Sequence, residues 1–205
     1  TRGMIALLYK RDYQKAEVEF ERAIDLNPTN TQARVWYGLF YLLTIRNDVD
    51  RGLEQCKLAT EFDPLSTYAF SSYAWALVYA KDTETALSFA EYGLKLGQNG
   101  LMAHGTMGYC YLLMNNLKGA LKEFLICNKL ANNIFPKLHL YTIYLKMDQD
   151  EQAEEVLNKM KKDYQNKFLM PTGIAIAAAY TKNNDLAIKA MKIASESHDP
   201  AFPFQ

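Results

Sequence analysis

At 205 residues, 49% of them hydrophobic and 22% charged, the chain carries enough apolar material for a continuous core. Its 23 basic and 23 acidic side chains cancel without clustering, which argues against an electrostatic nucleic-acid binder. Neither a membrane span of roughly 18 apolar residues nor a secretory signal is present. The three cysteines, Cys56, Cys110 and Cys127, have no C-x-x-C spacing, so neither a disulfide framework nor a zinc site is expected.

Along the chain one phrase, Ala-x3-Phe-x2-Ala, returns about every 34 residues. It is clearest as Ala16, Phe20 and Ala23, closed by Pro28. It continues as Gly52, Cys56, Ala59 and Pro64, then Ala86, Ala90 and Gly93, then Ala120, Phe124 and Cys127. The last copies are Ala153, Leu157 and Met160, and Ala187, Met191 and Ala194. The opening small residues are 36, 34, 34, 33 and 34 apart, the mark of one supersecondary unit stacked on itself. Cys56 and Cys127 occupy phrase positions and therefore read as reduced core residues.

Between the phrases a small residue is followed three later by an aromatic or apolar one. The copies are Gly38 and Tyr41, Ala74 and Leu77, Gly108 and Tyr111, and Ala175 and Ala178, with Tyr141 and Tyr144 filling the fifth. Each unit thus reads as two amphipathic helices of about 14 residues. Four of the five small positions precede the next phrase by 12 residues. Gly38 precedes Gly52 by 14, which predicts a longer turn through Arg46, Asn47 and Asp48. Lys81-Asp82-Thr83, Asn115-Asn116 and Asn183-Asn184-Asp185 lie where a first helix stops and a second is capped. Pro28, Pro64 and the Gly97-Gln98-Asn99-Gly100 turn close units one to three.

The pattern resembles the tetratricopeptide repeat over essentially the whole chain, with W-x2-L-G-x2-Y in the first helix and A-x3-F…P in the second. The consensus tryptophan is replaced by Arg34, Phe70, His104, Lys137 and Pro171. The resemblance implies an all-α fold, a right-handed superhelical solenoid of antiparallel helix pairs, as one domain of about six repeats. Their approximate bounds are 1–28 (truncated), 29–64, 65–99, 100–132, 133–166 and 167–199, with a tail at 200–205. The stretch from Pro171 to Pro203 is also similar to the closing repeat of arrays that end bacterial signalling proteins, behind winged-helix regulators, nucleotide cyclases or kinases. With a start at Thr1-Arg2-Gly3, halfway through a repeat, the chain reads as part of something longer.

In that family first helices line the concave side. The implied groove positions are Gln32, Val35, Leu39 and Leu43; Tyr68, Ser71, Trp75 and Tyr79; Met102, Gly105, Tyr109 and Leu113; Phe135, Leu138, Thr142 and Lys146; and Leu169, Thr172, Ile176 and Tyr180. The candidate peptide-binding set is Val35, Leu39, Tyr68, Ser71, Trp75, Tyr79, Met102, Tyr109, Phe135, Thr142 and Tyr180. Members that capture a chaperone's C-terminal carboxylate use Lys, Arg and Asn there. Only Lys146 falls on this face, so the expected ligand is an apolar helix or extended segment rather than an acidic tail. Core packing is the plainer reading of aromatics at this spacing.

Other constellations carry no chemistry. His104 and His139 lie one unit apart but gain no third ligand. Asp148, Asp150, Glu151, Glu154 and Glu155 open a helix that Lys159, Lys161 and Lys162 close, which suits its dipole. Ser66, Ser71 and Ser72 lack a nucleophile's Gly-x-Ser-x-Gly setting. No enzyme activity and no cofactor are expected. The last helix is apolar on a broad side, Leu186, Ala187, Ile188, Ala190, Met191, Ile193 and Ala194; the Phe202-Pro203-Phe204 tail is expected to cover it, with partial self-association into a homodimer. The sequence therefore predicts a cytoplasmic, non-enzymatic scaffold for a protein or peptide partner, with a regulatory or oligomerising module of a larger signalling protein as the alternative.

Overall fold

A computed structural model describes residues 2–97, 100–131, 134–165, 175, 178–179 and 184–196. Tyr180 and the Phe202-Pro203-Phe204 tail, both given roles by the sequence, lie outside them. Among the described residues there is helix and no strand. The chain forms two compact units, 1–114 and 115–205.

In the first unit, helix α1 (Arg2–Met4) continues with π winding through Ile5–Tyr9 and pairs with α2 (Tyr13–Leu26). Helix α3 begins at Thr31–Val35 and also passes into π winding, over Trp36–Arg46; it pairs with α4 (Val49–Phe62). Next come α5 (Thr67–Tyr79) with α6 (Thr83–Leu96), and then α7 (Leu101–Leu113). The second unit holds α8 (Leu117–Leu130), α9 (Ile134–Lys146), α10 (Asp150–Gln165) and α11 (Asn184–Glu196).

The turn between paired helices is the same device five times. Arg11, Asn47, Lys81, Asn115 and Asp148 all adopt positive φ, between 51° and 63°. They lie five residues before Ala16, Gly52, Ala86, Ala120 and Ala153. In four of these turns the next residue caps the second helix. Asp12 accepts from Lys15 N (3.0 Å), Asp48 from Arg51 N (3.2 Å), Asp82 from Thr85 N (3.2 Å) and Asn116 from Gly119 N (3.0 Å). Each such cap contributes about 1 kcal/mol. Asn30 and Ser66 cap first helices in the same way.

The longer turn expected after Gly38 is not there. The corner of Asn47 and Asp48 is one residue shorter than that of Ala80, Lys81 and Asp82. The extra length lies inside helix α3, which runs three residues further past its small residue than α5 does. Winding with i→i+5 bonds places more residues in each turn and so absorbs the surplus.

The phrase residues form the core, as their period requires. Ala16, Cys56, Ala59, Ala86, Ala90, Ala120, Phe124, Cys127, Met160 and Ala194 are all fully or almost fully buried. Gly38 and Gly52 let α3 and α4 touch backbone to backbone: a Cβ on Gly38 would stand 2.9 Å from the Gly52 carbonyl oxygen. Between α2 and α3, Tyr37 OH donates to Glu21 (2.9 Å) and Tyr41 OH to Glu17 (2.9 Å), while Arg51 donates to Tyr37 OH (2.8 Å). Burial, reinforced by Glu17, pushes the Tyr41 phenol up to about 12, so it stays a donor.

Two of the departures from the tryptophan consensus are buried charges. Arg34 donates through Nε to the Pro28 carbonyl (2.7 Å) and through Nη1 to Gln55 (2.6 Å), its guanidinium 5.1 Å from the Phe62 ring centroid. Lys137, on α9, pairs with Asp163 of α10. Both keep an amphipathic filler where an indole would stand, with a partner on the following helix. On α11 the apolar side divides: Ala187, Ala190 and Ala194 are buried, whereas Ile188 and Met191 are 55% and 45% exposed. Met191 thus departs from the core role its phrase position implies.

Candidate functional site

The strongest surface in the first unit is built on α5 and α7. Neither helix contains an Asp, Glu, Asn, Gln, Lys or Arg; their sequences are TYAFSSYAWALVY and LMAHGTMGYCYLL. On α5, Tyr68, Trp75 and Tyr79 recur at seven- and four-residue spacing, which at roughly 100° per residue keeps them on one stripe. Tyr68 and Tyr79 are exposed and Trp75 is half-buried. The Trp75 ring meets Tyr79 edge to face at 6.3 Å and Tyr109 of α7 at 5.4 Å. Such aromatic pairs add about 1 kcal/mol beyond burial and hold the rings in place.

Desolvation is the main cause that raises the Tyr68 and Tyr79 phenols above their ordinary range, so both stay protonated at neutral pH. Met102 is half-buried at the start of α7 and receives the Ser72 hydroxyl on its sulfur at 3.5 Å.

Three residues of the candidate set are corrected, as are Leu43 and Gly105 among the implied groove positions, both of them buried. Val35 (0% exposed), Leu39 (3%) and Ser71 (2%) are interior and line no surface. Val35 and Leu39 pack with Leu43, Cys56, Ala59, Ala69 and Ala76 between α3, α4 and α5. Val35 ends the regular stretch of α3 and is covered by the helices that follow, whereas for Leu39 a 3.6-residue projection has lost phase because π winding begins at Trp36. Ser71 is covered from α6, where a Cβ on Gly93 would lie 3.2 Å from its hydroxyl.

In the second unit, Phe135 is 40% exposed and its ring contacts His139 at 4.8 Å. Thr142 is half-buried and returns its hydroxyl to the Leu138 carbonyl (3.0 Å), so it presents no outward donor. His139 stacks on Phe124 at 4.3 Å, and burial lowers its pKa to about 4. Among the described residues no group of three metal-ligating side chains is found. The cysteines are free and buried, and desolvation pushes Cys56 to about 12 and Cys110 and Cys127 to about 11, far from a reactive thiolate. Among the described residues no helix is long and apolar enough to cross a membrane.

No family model matches the chain. Over 100 residues, 48% of its length, it is 30% identical to the mitochondrial import receptor subunit TOM70 of Homo sapiens, and the match spans 16% of that relative. Among solved structures it is similar to the type IV pilus biogenesis factor PilW, with a TM-score of 0.68 and 16% identity over 95% of this chain and 91% of that one. A thermophilic tetratricopeptide protein of Thermus thermophilus aligns with a TM-score of 0.66 and 20% identity, over 92% and 93% of the two chains. YrrB, described as a tetratricopeptide protein with an unusual peptide-binding site, aligns at 0.52 and 17% identity over 93% and 88%. The fold is all-α and of the tetratricopeptide type, an array of antiparallel helix pairs.

Proposed function

We propose that this tetratricopeptide-type array is a non-enzymatic scaffold that receives an apolar segment of a protein partner on the aromatic face of α5 and α7. The observation that carries the reading is the pairing of two uncharged 13-residue helices with exposed Tyr68 and Tyr79 around Trp75. An uncharged face gives up little hydration when covered, and rings already locked by Tyr79 and Tyr109 lose little freedom on binding. The peptide-binding site named for YrrB, a neighbour in fold, supports the same use.

The test is Trp75→Ala in affinity capture followed by titration of a captured partner. Aromatic anchors of this kind contribute about 2 kcal/mol or more, so affinity should fall at least roughly thirtyfold. A partner bound equally well by the variant ends the proposal.

A second reading, a regulatory or oligomerising module of a larger signalling protein, is favoured by one feature: Ile188 and Met191 stand exposed on α11. Light scattering on the full chain separates the two. A dimer dispersed by Ile188→Glu supports the second reading, and a monomer at all concentrations removes it.

A further inference from the structure

Between α8, α9 and α10 of the second unit lies a cavity of about 120 Å³, bounded by Leu125, Asn128, Lys137, Leu140, Tyr144 and Val156 among others. The repeat register accounts for it. Ala86 and Ala153 open the same phrase 67 residues apart, so Lys137, Leu140, Val156 and Lys159 are the counterparts of Phe70, Tyr73, Phe89 and Tyr92. In the first unit those four rings pack on one another across α5 and α6, at centroid distances between 4.7 and 6.1 Å. None of the four counterparts carries a ring. Leu140 and Val156 are smaller than the rings they replace, and Lys137 and Lys159 pair with Asp163 and Glu155.

The lining restricts what can enter. Both lysine ammoniums already have a carboxylate, so neither is left over to draw in an anion. Leu125, Leu140, Val156 and the Tyr144 ring give the walls apolar surface. A cavity of about 150 Å³ admits benzene, so about 120 Å³ suits one flat ring better than a thicker saturated ring or two fused ones. One group needs more than apolar cover: the Asn128 carboxamide oxygen is buried without a hydrogen-bond partner. Such an oxygen is an uncompensated cost, and the soft χ2 torsion of asparagine lets it turn toward a guest. We propose that this cavity binds a phenol, its ring replacing those the repeat lacks and its hydroxyl donating to the Asn128 carboxamide oxygen. Leu125, Gln152 and Lys159 are exposed, so the cavity opens to solvent and a substituent para to the hydroxyl has a way out. A free phenol and the tyrosine side chain of a partner share this chemistry.

The experiment titrates p-cresol into the full chain and follows the Leu140 and Val156 methyl groups by NMR, with toluene and cyclohexanol as comparisons. Saturable shifts at these methyls are expected in the millimolar range for so small a ligand. Toluene, which lacks the hydroxyl, should bind about fivefold more weakly, and cyclohexanol should also bind more weakly than p-cresol. Val156→Phe restores the ring found at Phe89 and should abolish binding without lowering the melting temperature. Asn128→Leu copies Leu94, its counterpart one repeat earlier, and should make p-cresol and toluene bind alike. If Val156→Phe does not fold, the Asn128→Leu comparison decides alone. N-acetyl-tyrosinamide separates the two sources: binding beside p-cresol bears out a partner's tyrosine, and its exclusion while p-cresol binds bears out a free phenol. No saturation at these methyls by about 10 mM p-cresol overturns the inference. So does cyclohexanol or toluene binding as well as p-cresol, binding that a folded Val156→Phe retains, or a preference over toluene that survives Asn128→Leu.

Discussion

Phe124→Ala is expected to lower the unfolding free energy by about 3–5 kcal/mol and to restore an ordinary titration to His139. Phe124 is 0% exposed, holds the Ala-x3-Phe position of its repeat, and stacks on His139 with ring centroids 4.3 Å apart. Truncation leaves a cavity against an imidazole that burial keeps neutral, with a pKa lowered from 6.5 to about 4. The pH dependence follows from that direction. Between about 6.5 and 4 the unfolded chain binds a proton that the native state refuses. The stabilisation is complete above the unfolded pKa and declines as pH falls through this window, by up to about 3 kcal/mol. In the variant water reaches the ring, the folded pKa rises towards 6.5 and the slope flattens. Urea unfolding across this range, with the His139 imidazole followed by NMR, checks both parts. A parent His139 titrating near 6.5, or equal slopes in parent and variant, would refute the account.

Gly38→Ala should cost about 2–3 kcal/mol, although alanine is the better helix former by about 1 kcal/mol. Its Cβ would stand 2.8 Å from Cys56 Sγ and 2.9 Å from the Gly52 carbonyl oxygen, and the latter has no rotamer to escape into. Helix α3 must then lift from α4 and loosen Leu43 and Cys56, both buried there. Gly93→Ala is the internal comparison. Its nearest obstacle is the Ser71 hydroxyl at 3.2 Å, a side-chain atom that can rotate, so this change should be close to neutral. Equal urea midpoints for the two variants would remove the close-approach argument.

The parts of the fold that were legible in the sequence are those written locally. The caps at Asp82 and Asn116 depend on neighbours three positions away, and the small residues announce themselves by a fixed period. The extra two residues between Gly38 and Gly52 were visible as a number, but a longer turn and a wider helix account for that number equally well. Only the hydrogen-bond pattern of Trp36–Arg46 separates them. The candidate face was legible on regular α5, at Tyr68, Trp75 and Tyr79, and misread at Leu39, where α3 leaves the 3.6-residue phase, and at Val35, which the following helices cover. Ser71 failed for another reason: what covers it is the Gly93 side of α6, more than twenty residues further on. Arg34 and Lys137 looked like degenerate positions because their partners, Gln55 and Asp163, are equally remote in sequence.

The π-wound stretch of α3 has a consequence for how such a chain tolerates changes in length. A surplus swallowed by a rod leaves the corner chemistry at Asn47 and Asp48 untouched, and the following pair begins with its own small residues in place. Insertions in an early repeat are thereby prevented from propagating as a frame error down the array. The same buffering blurs any search that assumes a rigid spacing, since one repeat can lengthen while every hinge keeps its geometry.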